Sequence, residues 1–571
     1  MAPLPPPPLA LLLALLALLA RPAAPAPFPP PRLPGSPFPL PARAPARVTV
    51  VNLTAASFDA RVLFLSLSGV VAQGAPELFL FDAADAGGAG PTGRGAGGPT
   101  GGMSLVQLAL LPASLPVDWS LANDFAGVLR RFAAAGAVRG FVLCDSPPPS
   151  AADNGSMHVA VSLAGVLGGA VATAQGTAAL AQQAGLALLL DARNLTLGAA
   201  FAQFEPRFSR TVLLNQQARN LVATVDYAVF AGALALYDAE LTGPFAAAAL
   251  ARLAPKSVVL GWGDELDSVT AASRFGHFII CSDAVANLPL FSSFSLADAA
   301  VAVAAPAPPP LLPACRADPA KHTVAFGFTD GDSLTFDLGH FADPAADWWG
   351  SPLRGSVPVA WTFQPMLAEL HPLYLAAVLA QASPADRFIA GPSGAGYAYL
   401  DQMNASSRAA FAAWTRAAMA LVPQMLRVVN QIQVGVFDPA VEAETVAGGG
   451  GGPDGGAPLA IFVDEYLQLT LRGRALLLND TVVTSRRHSL AVWGDVTPAS
   501  VVPLLNAGST NSSSDDGYSF VVAEVWSYGL TALRNVSAAV DPARVQVVGV
   551  DEYVACLRER VFGLPPEGAG G

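Results

Sequence analysis

The chain has 571 residues, 53% apolar and only 13% charged, with a formal net charge of −12. That length exceeds one ordinary core and fits two to four domains. The acidic balance argues against a protein that grips nucleic acid by its phosphates, which needs a basic face; no basic run exceeds a pair such as Arg486-Arg487.

Residues 9–20, "LALLLALLALLA", form an apolar stretch too short to span ~30 Å of hydrocarbon comfortably. Small residues and prolines follow around Ala24, so 1–24 reads as a cleaved secretory signal peptide. A basic n-region is missing, which keeps an uncleaved anchor as the alternative. If the leader is cleaved, the mature chain has no membrane span. Residues 25–47 read as an extended Pro-rich linker with no helix or strand.

From 48 to 304 short apolar runs alternate with helix-like segments, which predicts an N-terminal α/β domain. The expected strands are "RVLFLSLSGVVA", "ELFLFDA", "VRGFVLCD", "LALLLDA" and "SVVLGWGDEL". The expected helices are "LANDFAGVLRRFAAAG" and "MHVAVSLAGVLGGAVATAQG". No GxGxxG joins strand to helix here, so a dinucleotide site lacks support and no cofactor is expected. Gly- or Ser-rich stretches at 86–102, 448–456 and 507–517 read as surface insertions, and the Pro-rich hinge at 305–317 divides the chain.

From 318 to 564 come "HTVAFGFTDGD", "VPVAWTFQ", "RFIAGPSG", "LRVVNQIQV", "LAIFVDEY", "ALLLNDTVVTSR", "YSFVVAEVW" and "VQVVGVDEY". Helical segments separate several of them, which predicts a complete or distorted (β/α) barrel-like domain. In such barrels the C-terminal strand ends converge on one face. These ends deliver Asp330, Asp332, Trp361, Gln364, Ser393, Asp464, Glu465, Glu524, Trp526, Asp551 and Glu552.

Export has independent support from seven N-x-[S/T] sequons, opened by Asn52, Asn154, Asn194, Asn404, Asn479, Asn511 and Asn535. The expectation is a glycosylated protein that is secreted or resident in the secretory pathway. Cys144, Cys281, Cys315 and Cys556 allow three disulfide pairings, with Cys281–Cys315 nearest in sequence, or isolated buried thiols. Their spacing suggests no zinc site.

"GPSGAGYAYL" at 391–400 is rich enough in glycine to raise the question of a phosphate loop. Such a loop opens directly into a helix, whereas Tyr397–Met403 intervenes here before a helix cap at Asn404. It reads instead as a strand-end loop whose Tyr397 and Tyr399 face a groove.

Taken together, "FGFTDGDSLTFDLGHF", "VPVAWTFQPMLAEL", "DRFIAGPSGAGYAYLDQM", "YSFVVAEVWSYGLTAL" and "VVGVDEYVACLRER" resemble the GxGYxYP glycoside hydrolase family. "GFVLCD", "HVAVSLAG" and "GWGDELDSVTAASRFG" are similar to that family's N-terminal region. The signature maps onto Gly394, Gly396, Tyr397 and Tyr399, with Leu400 where its final proline belongs. Ser333 stands where the DGDN-like element carries Asn. The resemblance implies a hydrolase acting on an extracellular or secretory-pathway carbohydrate.

Glycoside hydrolysis uses two carboxyl groups flanking the scissile bond. Asp332 is the expected catalytic carboxyl, with Asp330 orienting it and Glu524 as partner. Trp361, Gln364, Ser393, Gly394, Gly396, Tyr397, Tyr399, Asp464, Glu465 and Trp526 are the expected substrate-binding residues. One alternative is a non-catalytic carbohydrate-binding or scaffold protein. The other is a metal-dependent polysaccharide deacetylase, which needs imidazole ligands beside the carboxylates; His340 and His322 are the nearest in sequence.

Overall fold

A computed structural model describes residues 28–82, 101–146, 155–217, 222–238, 240–299, 312–341, 346–422, 424–447, 457–465, 469–492 and 496–566. The expected leader, the 448–456 stretch, all but the last two residues of 86–102 and most of the 305–317 hinge lie outside these residues, and so does Asn154 of its sequon.

The first half builds three small parallel sheets rather than one. The first has the order β2-β1-β3, from β1 (Val48–Asn52), β2 (Leu78–Phe81) and β3 (Val117–Asp118). The second, β5-β4-β6, joins β4 (Gly140–Cys144), β5 (Gly169–Thr173) and β6 (Ala187–Asp191). The third is β10-β9-β7-β8, from β7 (Val212–Gln216), β8 (Leu234–Leu236), β9 (Val258–Trp262) and β10 (Phe278–Ile280).

Two expected elements change type. "RVLFLSLSGVVA" is not a strand but the middle of the helix Phe58–Gly74, capped by Ser57 Oγ accepting from the Ala60 amide. This helix is buried almost all round, so its apolar run lacks the period that separates helix from strand. At Gly69 a Cβ would lie 2.3 Å from Asp226 O, so glycine is what lets the helix Val225–Ala231 cross so closely. Conversely, the expected helix over 157–176 stops at Leu167, and Gly168 in the left-handed region (φ 71°) turns the chain into β5.

The second half forms one ten-stranded sheet, ordered β16-β17-β15-β14-β13-β12-β11-β19-β18 with β20 beside β11. Its strands are β11 (His322–Phe328), β12 (Val359–Phe363), β13 (Asp386–Ala390), β14 (Met425–Gln433), β15 (Ala460–Glu465), β16 (Ala475–Leu478), β17 (Thr481–Ser485), β18 (His488–Leu490), β19 (Tyr518–Ala523) and β20 (Val545–Val547). Every pairing is parallel except the β16–β17 hairpin. The sheet curls into a half-barrel, the distorted form of the expected barrel. It leaves β16 and β18 as its ends. Asp551 and Glu552 sit not at a strand end but in the first turn of the helix Val550–Cys556. Asp551 there pairs with Arg387 at 2.6 Å, and Glu552 accepts from the Arg316 amide.

Residues 28–45 form no helix or strand, yet they are docked as a strap. Leu33 N donates to Glu369 Oε1 at 2.7 Å, and Arg32 pairs with the same buried carboxylate at 3.5 Å. Farther along, the Ala42 and Arg43 amides donate to Gln73 O and Gly74 O. The strap thus ties the half-barrel to the first two-fifths of the chain by hydrogen bonds that no composition argument reveals. The disulfide joins Cys315 to Cys556, not to Cys281, and Cys144 and Cys281 are buried thiols. Sequence proximity misled here because β11 and the last helix bring the two ends of the half-barrel region together.

Candidate active site

β11 is buried along its whole length and releases the chain at Thr329. Asp330 follows in the left-handed region (φ 61°), which aspartate tolerates better than most residues. Gly331 is then obligatory: a Cβ there would lie 1.7 Å from Thr362 O at the neighbouring strand end. The turn is sewn to β12 by Gly331 N donating to Thr362 Oγ1 (3.1 Å) and Gln364 N to Gly331 O (2.8 Å). Thus the two aspartates of "TDGD" diverge. Asp330 reaches along the mouth, and Asp332 is 5% exposed behind it.

β19 lies beside β11 and ends at the same level, so Glu524 arrives next to Asp330. Thr329 Oγ1 sits between the two carboxyls, 2.9 Å from Glu524 Oε2 and in contact with Asp330 Oδ2. The carboxyls are also within hydrogen-bonding reach of each other. Trp526 donates its indole N–H to Asp330 Oδ1 at 3.0 Å, and its ring, 40% exposed, packs edge-on against Phe336. Trp526 therefore stands edge-on to Asp330 and leaves part of its ring exposed beside the carboxyl pair.

Electrostatics set these acids apart from surface carboxylates. Burial, then the neighbouring Asp330 charge, pushes Glu524 up to about 8, against the Thr329 hydrogen bond and the Arg486 charge. Asp330 is raised by burial, partly offset by its bonds to Thr329, Trp526 and Glu524. Asp332 is held well above the carboxylate range by burial and by Asp330. Asp337, on the helical turn Phe336–Phe341, is raised by burial and by Asp332 and Asp330. Neither of its carboxyl oxygens meets a hydrogen-bond partner among the described residues. Like charges this close cannot all ionise in a desolvated site, so protons stay in the cluster near neutral pH.

The remaining expected residues fall into three places. Several are framework. Trp361 is 1% exposed, stacks on Phe328 at 4.9 Å and donates to Asp386 at 2.8 Å, so it is core and not a groove wall. Ser393 Oγ accepts from the Ile432 amide, and Gln364 Nε2 donates to Asp332 O at 2.9 Å. A second group holds the adjoining loop. Asp464 is ion-paired with Arg486, and Glu465 accepts from the Thr470 and Leu471 amides at 2.5 and 2.9 Å.

The third group is the signature loop, and it is a seam. Tyr397 and Ile279 exchange both backbone hydrogen bonds at 2.8 Å, which adds the loop to the edge of the third N-terminal sheet. A Cβ on Gly396 would lie 2.4 Å from Phe278 Cδ2, and one on Gly394, where φ is 120°, would lie 2.6 Å from Thr415. Tyr399 is fully buried, and its amide donates to Ser273 Oγ. Ser333 belongs to the same seam: its Oγ accepts from Phe336 N and lies 3.7 Å from Cys281 Sγ.

Sequence reasoning missed two residues that the seam brings in. Tyr397 donates its hydroxyl to Glu265 Oε1 at 2.5 Å and stacks nearly parallel on Trp262 at 5.7 Å. Trp262 ends β9 and Glu265 opens the next helix, in the quoted "GWGDEL". Carboxyl ends of parallel strands are where open α/β sheets bind ligands, and that was the available signal. Among the described residues no group of three His, Cys, Asp or Glu side chains is arranged to hold a metal ion.

Residues 320–558 match the family described as "GxGYxYP putative glycoside hydrolase C-terminal domain", and residues 210–293 match "GxGYxYP third domain". No curated protein matches. A crystal structure described as that of a putative hydrolase from Bacteroides thetaiotaomicron VPI-5482 is similar at 21% identity and a TM-score of 0.76. The likeness covers 93% of this chain and 98% of that one, and it shows a shared fold. The half-barrel with its "GAGYAY" seam and the four-stranded sheet it docks on are thus both domains of one family, and the chain belongs to the GxGYxYP family.

Proposed function

We propose that this protein hydrolyses a glycosidic bond at the mouth of the half-barrel. The observation that carries the reading is the Asp330–Glu524 pair, desolvated and close enough to share a proton, bridged by Thr329 and beside the exposed ring of Trp526. A proton donor to a leaving oxygen works best with a value near the working pH, and Glu524 has one. Its contact with Asp330 is closer than the ~5–5.5 Å that separates acid and nucleophile in retaining enzymes. The two therefore act as one acid, with Asp330 holding and tuning Glu524.

In the reaction Glu524 gives its proton to the glycosidic oxygen as the bond from that oxygen to the anomeric carbon breaks. Water then adds its hydroxyl to that carbon and returns its proton to the pair. Asp332 lies behind, where burial disfavours its charge. As Glu524 gives up its proton, that of Asp332 passes to the Asp330–Glu524 pair, so that a carboxylate on Asp332 meets the positive charge developing on the sugar ring. When the water's proton reaches the pair, one returns to Asp332, and the interaction is made in the transition state rather than with the bound substrate. We also place the protein in the secretory pathway. The Cys315–Cys556 disulfide suits an oxidising compartment. Asn194, Asn404, Asn479, Asn511 and Asn535 are exposed and open to glycosylation.

The test is release of reducing sugar from a panel of oligosaccharides. Asp332→Asn is expected to lower kcat by about 10²-fold with little change in KM, the pattern of an interaction made in the transition state. Binding of a glycan with no hydrolysis of any panel member would exclude catalysis and leave a carbohydrate-binding protein.

A further inference from the structure

We infer that Trp262 and Glu265, from the third N-terminal sheet, form a second wall of the carbohydrate site, so that substrate is held across the domain seam. This inference rests on the hydrolase reading for the position of the first wall. It explains why the family's signature loop is spent on docking two domains rather than on chemistry.

Trp262 is the last residue of β9 and is only half-buried, although its ring stacks on Tyr397 with the planes 10° apart. Tyr397 is 3% exposed, so it supports Trp262 from behind. Glu265 occupies the first turn of the helix Glu265–Arg274, whose N-cap is Asp264. The positive end of the helix and the Tyr397 hydroxyl both stabilise negative charge on it. β10, which pairs with β9 just before Trp262, runs on into Cys281, and Cys281 bridges to Ser333 beside Asp332. The end of the third sheet thus abuts the turn that carries the barrel-mouth acids, close enough for Asp332 and Glu524 to feel the charge of Glu265. A carboxylate there, half-buried and flanked by an aromatic ring, can accept hydrogen bonds from sugar hydroxyls while the ring covers the apolar face.

The charges also narrow the ligand. Asp330, Asp332, Glu265 and Glu524 surround the cleft, while Arg486, the guanidinium that acts on Glu524, is already paired with Asp464. A sugar carrying carboxylate or sulfate would meet the Glu265 carboxylate beside acids that hold their protons, with the nearby guanidinium already committed to Asp464. The site fits neutral or amine-bearing sugars.

The experiment compares the full chain with Trp262→Ala, Trp262→Phe, Glu265→Gln, Glu524→Gln and Trp119→Ala, a control at an exposed ring on β3's flank. Each is checked for a single cooperative melting transition well above the assay temperature. The readouts are glycan-array binding, with neutral, amino and uronic acid oligosaccharides, and steady-state kinetics on any member cleaved. Trp262→Ala and Glu265→Gln are expected to weaken binding and raise KM at least tenfold, Trp262→Phe to restore most of it, and Trp119→Ala to change nothing. Wild-type binding by Trp262→Ala and Glu265→Gln, with activity lost only in Glu524→Gln, would overturn the second wall and keep the hydrolase. Loss of binding in both variants of a chain that cleaves nothing would keep the wall and remove the hydrolase. Preference for uronic acids would overturn the charge argument, and no binding to any member would overturn both readings.

Discussion

Glu524→Gln is expected to lower kcat/KM by about 10³-fold while leaving the fold in place. General acid catalysis is worth roughly 10²–10⁴, and the amide cannot deliver a proton to the leaving oxygen. The same amide keeps the shape of the side chain and still accepts from Thr329, which now holds Glu524 at 2.9 Å. A substrate with a very good leaving group needs little protonation, so on an activated aryl glycoside the loss should shrink. That dependence separates a missing acid from a damaged site. In the wild type, burial pushes Glu524 up to about 8, so the acid form is lost above that point. The expected profile of kcat/KM therefore declines on the alkaline side near pH 8. An equal loss on activated and unactivated substrates, or an alkaline limb unchanged in Asp330→Asn, would assign the proton to another group. Removal of Asp330 should move that limb to lower pH, because its charge is the second cause of the rise in Glu524.

How much of this was legible depended on which physical signal each residue leaves in the chain. β11, β12 and β19 are continuous apolar runs followed by polar residues, and parallel strands buried on both faces must read that way. Their alignment places Thr329, Asp330 and Glu524 together once the sheet is parallel and curled, so the carboxyl pair could be anticipated from strand ends alone. Trp361 follows the same pattern and is core, because a strand's last turn does not say which side chains face the cleft. The Phe58–Gly74 helix was illegible for a different reason: a segment buried all round has no amphipathic period to read. Tyr397 and Tyr399 were expected to face a groove and are buried instead, because their surroundings come from residues more than a hundred positions away. Their contacts with Glu265, Ser273 and Ile279 exist only through docking of two domains, which leaves no local spacing pattern. The same holds for Glu369, whose bonds to Leu33 and Ser36 fix a strap that composition marks as an unattached linker.

A loss of thermal stability as pH rises from about 6.5 to 8 is the second large expected effect, and its sign follows from the buried acids. Burial pushes Asp226 and Glu442 up to about 7 and Glu524 up to about 8, and holds Asp332 and Asp337 well above the carboxylate range. The folded chain thus keeps protons that the unfolded chain gives up near pH 4. That contribution is complete below the unfolded values and is lost as pH climbs through the folded ones. Buried histidines act in the opposite sense. His277, His322, His371 and His488 are all lowered by burial, so below about 6.5 the unfolded chain takes up their protons and stability falls with acid. Between pH 4 and 6.5 the two sets oppose each other. Above 6.5 the histidines of the unfolded chain lose their remaining charge within about one pH unit, and beyond that only the acids retain a slope. Each carboxyl that still holds its proton contributes about 1.4 kcal/mol per pH unit, so Glu524 alone accounts for roughly 2 kcal/mol across this window. The ion-paired Asp118 and Asp191 do not interfere, because hydrogen bonds from Ser120 and Arg131, and from Arg193, lower them, and their contribution is lost only in acid. Melting temperatures measured at constant ionic strength should fall steadily over these pH values, and Glu524→Gln should flatten the curve because its amide does not titrate. A melting temperature that stays level or rises toward pH 8 would mean that water or counter-charge already solvates these carboxyls. In that case the desolvated acid assigned to catalysis would be absent as well.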